Sequence, residues 1–372
     1  MLLIFLALTY SVYKEDKMNE FIKKPRLEWL DSLRGLAILL LIIMHYIGAI
    51  EARGLLPSSL VEPIKATFRV ATPLFITVFG FTVAYVFYGK INNKKNFSNL
   101  VVWSLKRLPK VLLAREVIVI IYSMAHPEHL ETIFETLLYS NFAAAGEILT
   151  FYFLAILCTP YILTVIYKVN SKIVLILTLF IYAITYYIGS SFGASNEGMM
   201  FRLFFYDVYP FFPFFTCVVI GMLLAKLYIV LEINRNRLIA FLGISISAIA
   251  LGLIVFNVIS ENVLISLSLA KYKAPPHPAY LSLYIGISIL FALTLAFVTE
   301  MKLIPPFIHH ALSVIGRNSL LAYVLHYFLH FTPLVSQYLL GNKNIMVEIF
   351  TFLIILLLSY YFIVIKDKHS NR

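Results

Sequence analysis

Ten stretches of this sequence are apolar over about the length a helix needs to cross a bilayer: roughly 35–51, 66–88, 110–125, 148–167, 172–190, 203–229, 238–259, 278–299, 319–340 and 345–365. Nothing else constrains the fold as strongly. Hydrocarbon offers no water to a peptide N–H or C=O, so each crossing has to close its own hydrogen bonds as a helix. Of the 372 residues, 61% are hydrophobic and 13% charged, the balance of a polytopic membrane protein. The expected fold is an all-α membrane protein, a polytopic bundle of about ten transmembrane helices. No polar stretch is long enough for a separate soluble unit, so residues 18–372 read as a single transmembrane domain. Residues 1–17 read apart from it. Their apolar run is too short to span and lacks the basic start and cleavage site of a secretory signal. They are either an interfacial segment or a non-native stretch ahead of a start at Met18.

Charge sets the expected orientation. With the segment before the first crossing inside, and cations near the end of a crossing counted with the adjoining segment, 22 of the 30 lysines and arginines fall in inside segments and 7 in outside ones, and Arg115 lies within a crossing. Both termini are therefore expected to be cytoplasmic, in the plasma (inner) membrane. The formal net charge of +11 then reports loops facing anionic lipid rather than nucleic-acid binding. Cys158 and Cys217 each sit in an apolar run, which argues against a disulfide or a metal site. The sequence holds no HExxH or Walker A pattern, which removes the common zinc-hydrolase and ATPase classes.

The first crossing carries the most chemistry. Arg34 stands at its cytoplasmic edge and His45 interrupts its apolar run eleven positions later. Three helical turns take about 10.8 residues, so both side chains leave nearly the same face, with their roots roughly 16 Å apart along the axis. Asp31, three positions before Arg34, shares that face and can hold the guanidinium. Singly, Arg34 reads as a positive-inside anchor and His45 as a hydrogen-bonded core histidine. An ionisable group inside a crossing usually faces a cavity or the bundle interior, and the shared face favours a functional pair. Arg115 and Glu116 are adjacent, project about 100° apart and cannot both face lipid cheaply, so at least one is expected to line the central cavity. Ser319, Tyr323 and His326 fall at i, i+4 and i+7 and share a face. Arg202 and Asp207 are placed to pair. Pro210 and Pro213 break the aromatic run 206–215, which reads as a wall for a sugar ring or as an interfacial belt.

The stretch Leu30-Asp31-Ser-Leu-Arg34-Gly35-Leu-Ala37, followed by His45, resembles the first membrane helix of the integral-membrane acyltransferases. These are the acyltransferase type 3 proteins and the related heparan-alpha-glucosaminide N-acetyltransferase-like and YeiB-like proteins. Arginine, ten residues, histidine is the motif associated with them. Thr72-Pro73-Leu-Phe75-Ile-Thr-Val-Phe79-Gly80-Phe81 resembles their second helix, with Phe79 where a serine is usual. Arg107-Leu-Pro-Lys110 stands where acyltransferase type 3 proteins carry Arg-x-x-Arg, which exchanges a bidentate fork for a point charge at Lys110. Glu147-Ile-Leu-Thr-Phe-Tyr152 is similar to a YeiB-type Asp-Ile-Leu-x-x-Tyr segment. Gly316-Arg317-Asn318-Ser319 through Tyr323 to His326 resembles the family's Gly-x-x-Ser-x-x-x-Tyr-x-x-His.

The resemblance implies an acyltransferase using acetyl-CoA or another acyl-CoA as co-substrate, without a metal, with a carbohydrate or glycolipid acceptor. His45 would act as general base or transient acyl carrier with Asp31 assisting. Arg34, Arg107, Lys110 and Arg317 would bind the anionic head of the donor. Arg115, Glu116, Glu147, Ser319, Tyr323 and His326 would line the channel or the acceptor site. The rival reading is a transporter of a small molecule or glycan precursor, with the same charged residues as its pathway. The sequence shows no obvious internal repeat to support it.

Overall fold

The computed structural model describes residues 26–52, 54–87, 94–141, 145–193, 198–231, 235–331 and 345–370. The expected N-terminal segment 1–17 and residues 332–340 of the expected crossing 319–340 lie outside them. In chain order the helices are α1 (Glu28–Ala52), α2 (Ser58–Phe68), α3 (Ala71–Phe87), α4 (Lys94–Ala125), α5 (Glu147–Lys168), α6 (Ser171–Phe192), α7 (Phe211–Val230), α8 (Arg235–Ile259), α9 (Pro278–Glu300), α10 (Pro306–Arg317), α11 (Ser319–Leu325) and α12 (Ile345–Ser370). Short turns at Ile133–Leu137, Met199–Phe201 and Val263–Ser268 fill connections. The described residues contain no named strand, and the fold is an all-α membrane bundle.

Eight segments among the described residues are long and apolar enough to cross a membrane. The expectation of about ten differs from this at two elements. Helix α4 runs unbroken through Pro109 for 32 residues, but Lys110, Arg115 and Glu116 load its second half with charge. A proline is tolerated there because neighbouring helices can satisfy the one freed carbonyl. Helix α11 continues as a 3-10 turn, His326–Phe331, up to the edge of the described residues.

Helices α1, α3, α5 and α7 form the interior, while α6, α8 and α12 expose most of their apolar surface, as lipid-facing helices do. Two crossings are set by reciprocal glycines. A Cβ on Gly80 would overlap the Val218 carbonyl, and one on Gly221 would overlap that of Thr77, so α3 and α7 meet backbone to backbone. In the same way Gly35 faces the Leu312 carbonyl and Gly316 faces that of Asp31, which locks α1 against α10. The second crossing fixes where Arg34 can reach.

Helix α9 opens on a histidine cap. The His277 Nδ1 accepts the Ala279 N–H at 3.1 Å, and Pro278 follows at the first helical position. Burial lowers the His277 pKa from its usual value, so the cap works in the neutral form. The unfolded chain then binds the proton more readily than the folded one, and stability falls with pH below about 6.5. Thermal unfolding in detergent should show a downward slope between pH 6.5 and 5 that is shallower in His277→Asn, which can cap without titrating.

Candidate active site

The α1–α10 crossing brings Arg34 to the start of α11. Its Nη2 donates to Ser319 Oγ at 2.8 Å across 285 positions of sequence. Arg34 is half-buried, and among the described residues no carboxylate pairs with it. The Asp31 carboxylate, expected to hold Arg34, instead takes Arg26 at 2.7 Å. It lies within electrostatic range of Arg34 but about 21 Å along the axis from His45, too far to assist that imidazole directly. Arg107 is exposed on α4, its guanidinium 4.3 Å from the centroid of the Trp103 ring and within electrostatic range of Arg34. Lys110 is exposed one turn further on. This end of the bundle therefore presents cations whose charge is available to an anion. Arg317 is different. Its guanidinium is clamped by both oxygens of Asp367 on α12, at 3.1 and 2.7 Å, and by Ser313 at 2.9 Å. An incoming phosphate would have to displace a bidentate carboxylate to use it.

Three turns deeper, His45 meets the other end of the same pair of faces. Its ring centroid is 5.6 Å from that of His326, which is buried and flanked by Tyr323 at 4.8 Å and Tyr327 at 4.3 Å. His45 itself is exposed, so this pair has one open and one enclosed imidazole. Thus the face carrying Arg34 and His45 packs along the face carrying Ser319, Tyr323 and His326. The His326 Nδ1 bonds the Tyr323 carbonyl. A carbonyl can only accept, so Nδ1 carries the proton and the neutral ring keeps its lone pair on Nε2. The Tyr323 and Tyr327 hydroxyls share a hydrogen bond of 3.1 Å. An apolar cleft lined by Leu39, Ile42, Ala322, Leu329, Ile355 and Tyr360 reaches His326 between α1 and α12. A larger apolar cleft, bounded by Trp29, Leu33, Phe81 and Tyr228, holds none of these polar groups.

A third cluster joins this centre through Tyr327, whose hydroxyl accepts the Gly146 N–H at 3.3 Å just ahead of α5. The next residue, Glu147, takes Arg115 Nη2 at 3.5 Å. Arg115 is 1% exposed, with Nη1 on the Glu116 carboxylate at 3.1 Å and on the Thr136 carbonyl at 2.8 Å, and the Tyr139 ring 4.1 Å from its guanidinium carbon. Of the adjacent pair Arg115 and Glu116, the arginine is the one turned inward. Deleting one partner of a buried ion pair typically costs about 3–5 kcal/mol. Arg115→Ala is expected to lower the thermal midpoint strongly, and Arg115→Lys to recover part of the loss, as measured by unfolding in detergent.

Several contacts here carry no sequence signal of their own. Tyr152 has its hydroxyl buried, within electrostatic range of Arg34, and it packs edge-on against Phe79 at 5.3 Å. The substitution of Phe79 for serine therefore supplies a ring contact instead of a hydroxyl. Tyr327 sits beside His326 in the sequence, but nothing in its spacing points to Gly146. Asp367 lies at the end of an apolar run and reads as a terminal charge. Arg202 does pair with Asp207, at 2.6 Å. The aromatics 204–215 pack largely on one another. Among the described residues no group of three or more His, Cys, Asp or Glu could hold a metal ion.

No curated protein and no solved structure matches the chain. The acyltransferase-domain family of type 3 matches residues 27–364, almost the whole bundle, including both glycine-locked crossings and the polar clusters apart from Arg26 and Asp367. With basic groups, paired imidazoles and a buried arginine cage on helices that this match covers, the chain belongs to the type 3 family of membrane acyltransferases.

Proposed function

We propose that the protein takes an acyl group, acetyl by preference, from cytoplasmic acyl-CoA and transfers it to a hydroxyl or amine of a cell-envelope carbohydrate on the outer side of the plasma membrane. One observation carries the reading. The Arg34–Ser319 and His45–His326 contacts lie along a single seam between α1 and α11, leading from available cations to a pair of imidazoles. The seam spans about 16 Å, on the order of a pantetheine arm. Arg34 and Arg107, with Lys110 beside them, suit the phosphates of the donor. His45 would take the proton of the acceptor hydroxyl as its oxygen attacks the thioester carbonyl. The carbon–sulfur bond breaks, a carbon–oxygen bond forms, and the proton passes to the departing thiolate. With both termini cytoplasmic, as the lysine and arginine bias favours, donor and acceptor meet from opposite sides.

Proteoliposomes supplied with labelled acetyl-CoA on one face test this. Free thiol should appear only when the donor is on the Arg34 side, and Glu128→Ala, in the exposed connection, should behave as wild type. Label accumulating in the lumen as intact acetyl-CoA, without thiol release, would favour transport and contradict the proposal.

A further inference from the structure

At the end of the bundle opposite Arg34, two cations turn inward. Arg69, between α2 and α3, donates through Nη2 to the Ser268 carbonyl at 2.9 Å, while its Nε is buried without a hydrogen-bond partner. Lys273, in the turn before α9, is 8% exposed, and its Nζ lies 4.1 Å from the Tyr209 ring centroid. The Tyr209 hydroxyl lies close to Lys273 and Thr72 and feels the charge of Arg69. Tyr280, 1% exposed, has its hydroxyl buried without a partner, within electrostatic range of Arg69 and Tyr209. Several other cations in partly buried positions have carboxylates: Lys65 has Glu51, Arg115 has Glu116 and Glu147, Arg202 has Asp207 and Arg317 has Asp367. Among the described residues Arg69 and Lys273 have none. Two inward cations with no counter-charge, beside an idle phenol, are costly unless an anion completes them. Tyr209 is also within electrostatic range of Tyr323 and Tyr327, the tyrosines that flank His326.

We infer that Arg69, Lys273, Tyr209 and Tyr280 bind an oxyanion, a carboxylate or a phosphate, carried by the acceptor, so that the acceptor is an acidic sugar rather than a neutral one. This rests on the acyl-transfer reading above for what the bound sugar does, though not for whether it binds. The anion would be held by the two cations while a hydroxyl of the same sugar is presented toward His45. A neutral sugar would leave both charges uncompensated.

The purified full-length protein in detergent, titrated calorimetrically with glucuronate, glucose 1-phosphate and methyl glucoside, tests the site. One or both anions should bind, and methyl glucoside at least about tenfold more weakly. Lys273→Gln and Arg69→Gln should each weaken anion binding by about tenfold or more, as loss of a charge-assisted bond does, whereas Lys273→Arg should retain it. Glucuronate alone binding would mark a carboxylate-bearing acceptor, and glucose 1-phosphate alone a phosphate-bearing one. Equal binding of methyl glucoside, or no loss in both glutamine variants, would overturn the inference. So would a heat signal with phosphatidylglycerol nanodiscs but with neither sugar, since the anion would then belong to lipid. Wild-type protein that consumes acetyl-CoA yet binds neither sugar anion overturns this inference alone. Protein that binds them but consumes no thioester overturns the acyl-transfer reading alone.

Discussion

Gly316→Val is expected to abolish acyl transfer, and Gly35→Val to do the same, while Gly48→Ala on the same helix as Gly35 leaves activity unchanged. The asymmetry follows from backbone contact. At Gly35 and Gly316 a single added carbon would overlap a carbonyl of the facing helix, and neither backbone can retreat like a flexible side chain. At Gly48 an added carbon meets nothing within 4 Å. Overpacking of this kind costs about 1–3 kcal/mol, and a shift of roughly 1 Å at a reacting centre is worth about a hundredfold in rate. Prying α1 from α10 would move Arg34 off Ser319 and His45 away from His326 together. Gly316→Ala should fall between wild type and valine. Thermal midpoints run alongside thioester turnover separate a displaced site from an unfolded protein. Wild-type turnover in Gly316→Val would show that the crossing does not set the site.

The second expectation is a division of labour along α1. Arg34→Ala should mainly raise the KM for acyl-CoA, by about 10- to 100-fold, because it removes charge-assisted bonds to the donor head. His45→Ala should mainly lower kcat, by about 10²- to 10⁴-fold, the usual worth of a positioned proton acceptor. Ser319→Ala should reproduce a fraction of the Arg34 effect, since the hydroxyl only orients the guanidinium. Steady-state kinetics on the three variants decide it. Equal losses in kcat for Arg34→Ala and His45→Ala would mean that the two residues act at one point rather than at opposite ends of a passage.

Helical periodicity alone makes the two faces legible. Arg34 and His45 share one, Ser319, Tyr323 and His326 the other, and both groupings hold in the folded bundle. What periodicity does not carry is which faces meet. Arg34 finds Ser319 across 285 positions, and Arg317 finds Asp367 across 50. Asp31 shows the limit at short range as well. It is one turn from Arg34, where a pair is reasonable, yet Arg26 outside the helix competes successfully for its carboxylate. Arg115 is readable as a residue that cannot face lipid, but its cage of Glu116, Glu147, Thr136 and Tyr139 depends on a loop folding back onto α4. Lys273 and Arg69 carry no motif and stand near ends of apolar runs, where cations are ordinary. Only their burial sets them apart. The unbroken course of α4 through Pro109 is hidden in the sequence because proline in a soluble helix would end it.

The claim on which the rest depends is that one passage joins the Arg34 mouth to the His45–His326 centre and accepts the donor lengthwise. A cryo-electron microscopy structure of the full chain with a non-hydrolysable thioether analogue of acetyl-CoA tests it directly. The account predicts the diphosphate within hydrogen-bond reach of Arg34 and the thioether sulfur beside the His45 and His326 rings. A donor head bound at the Arg69 and Lys273 end, or an arm lying outside the seam between α1 and α11, would contradict it.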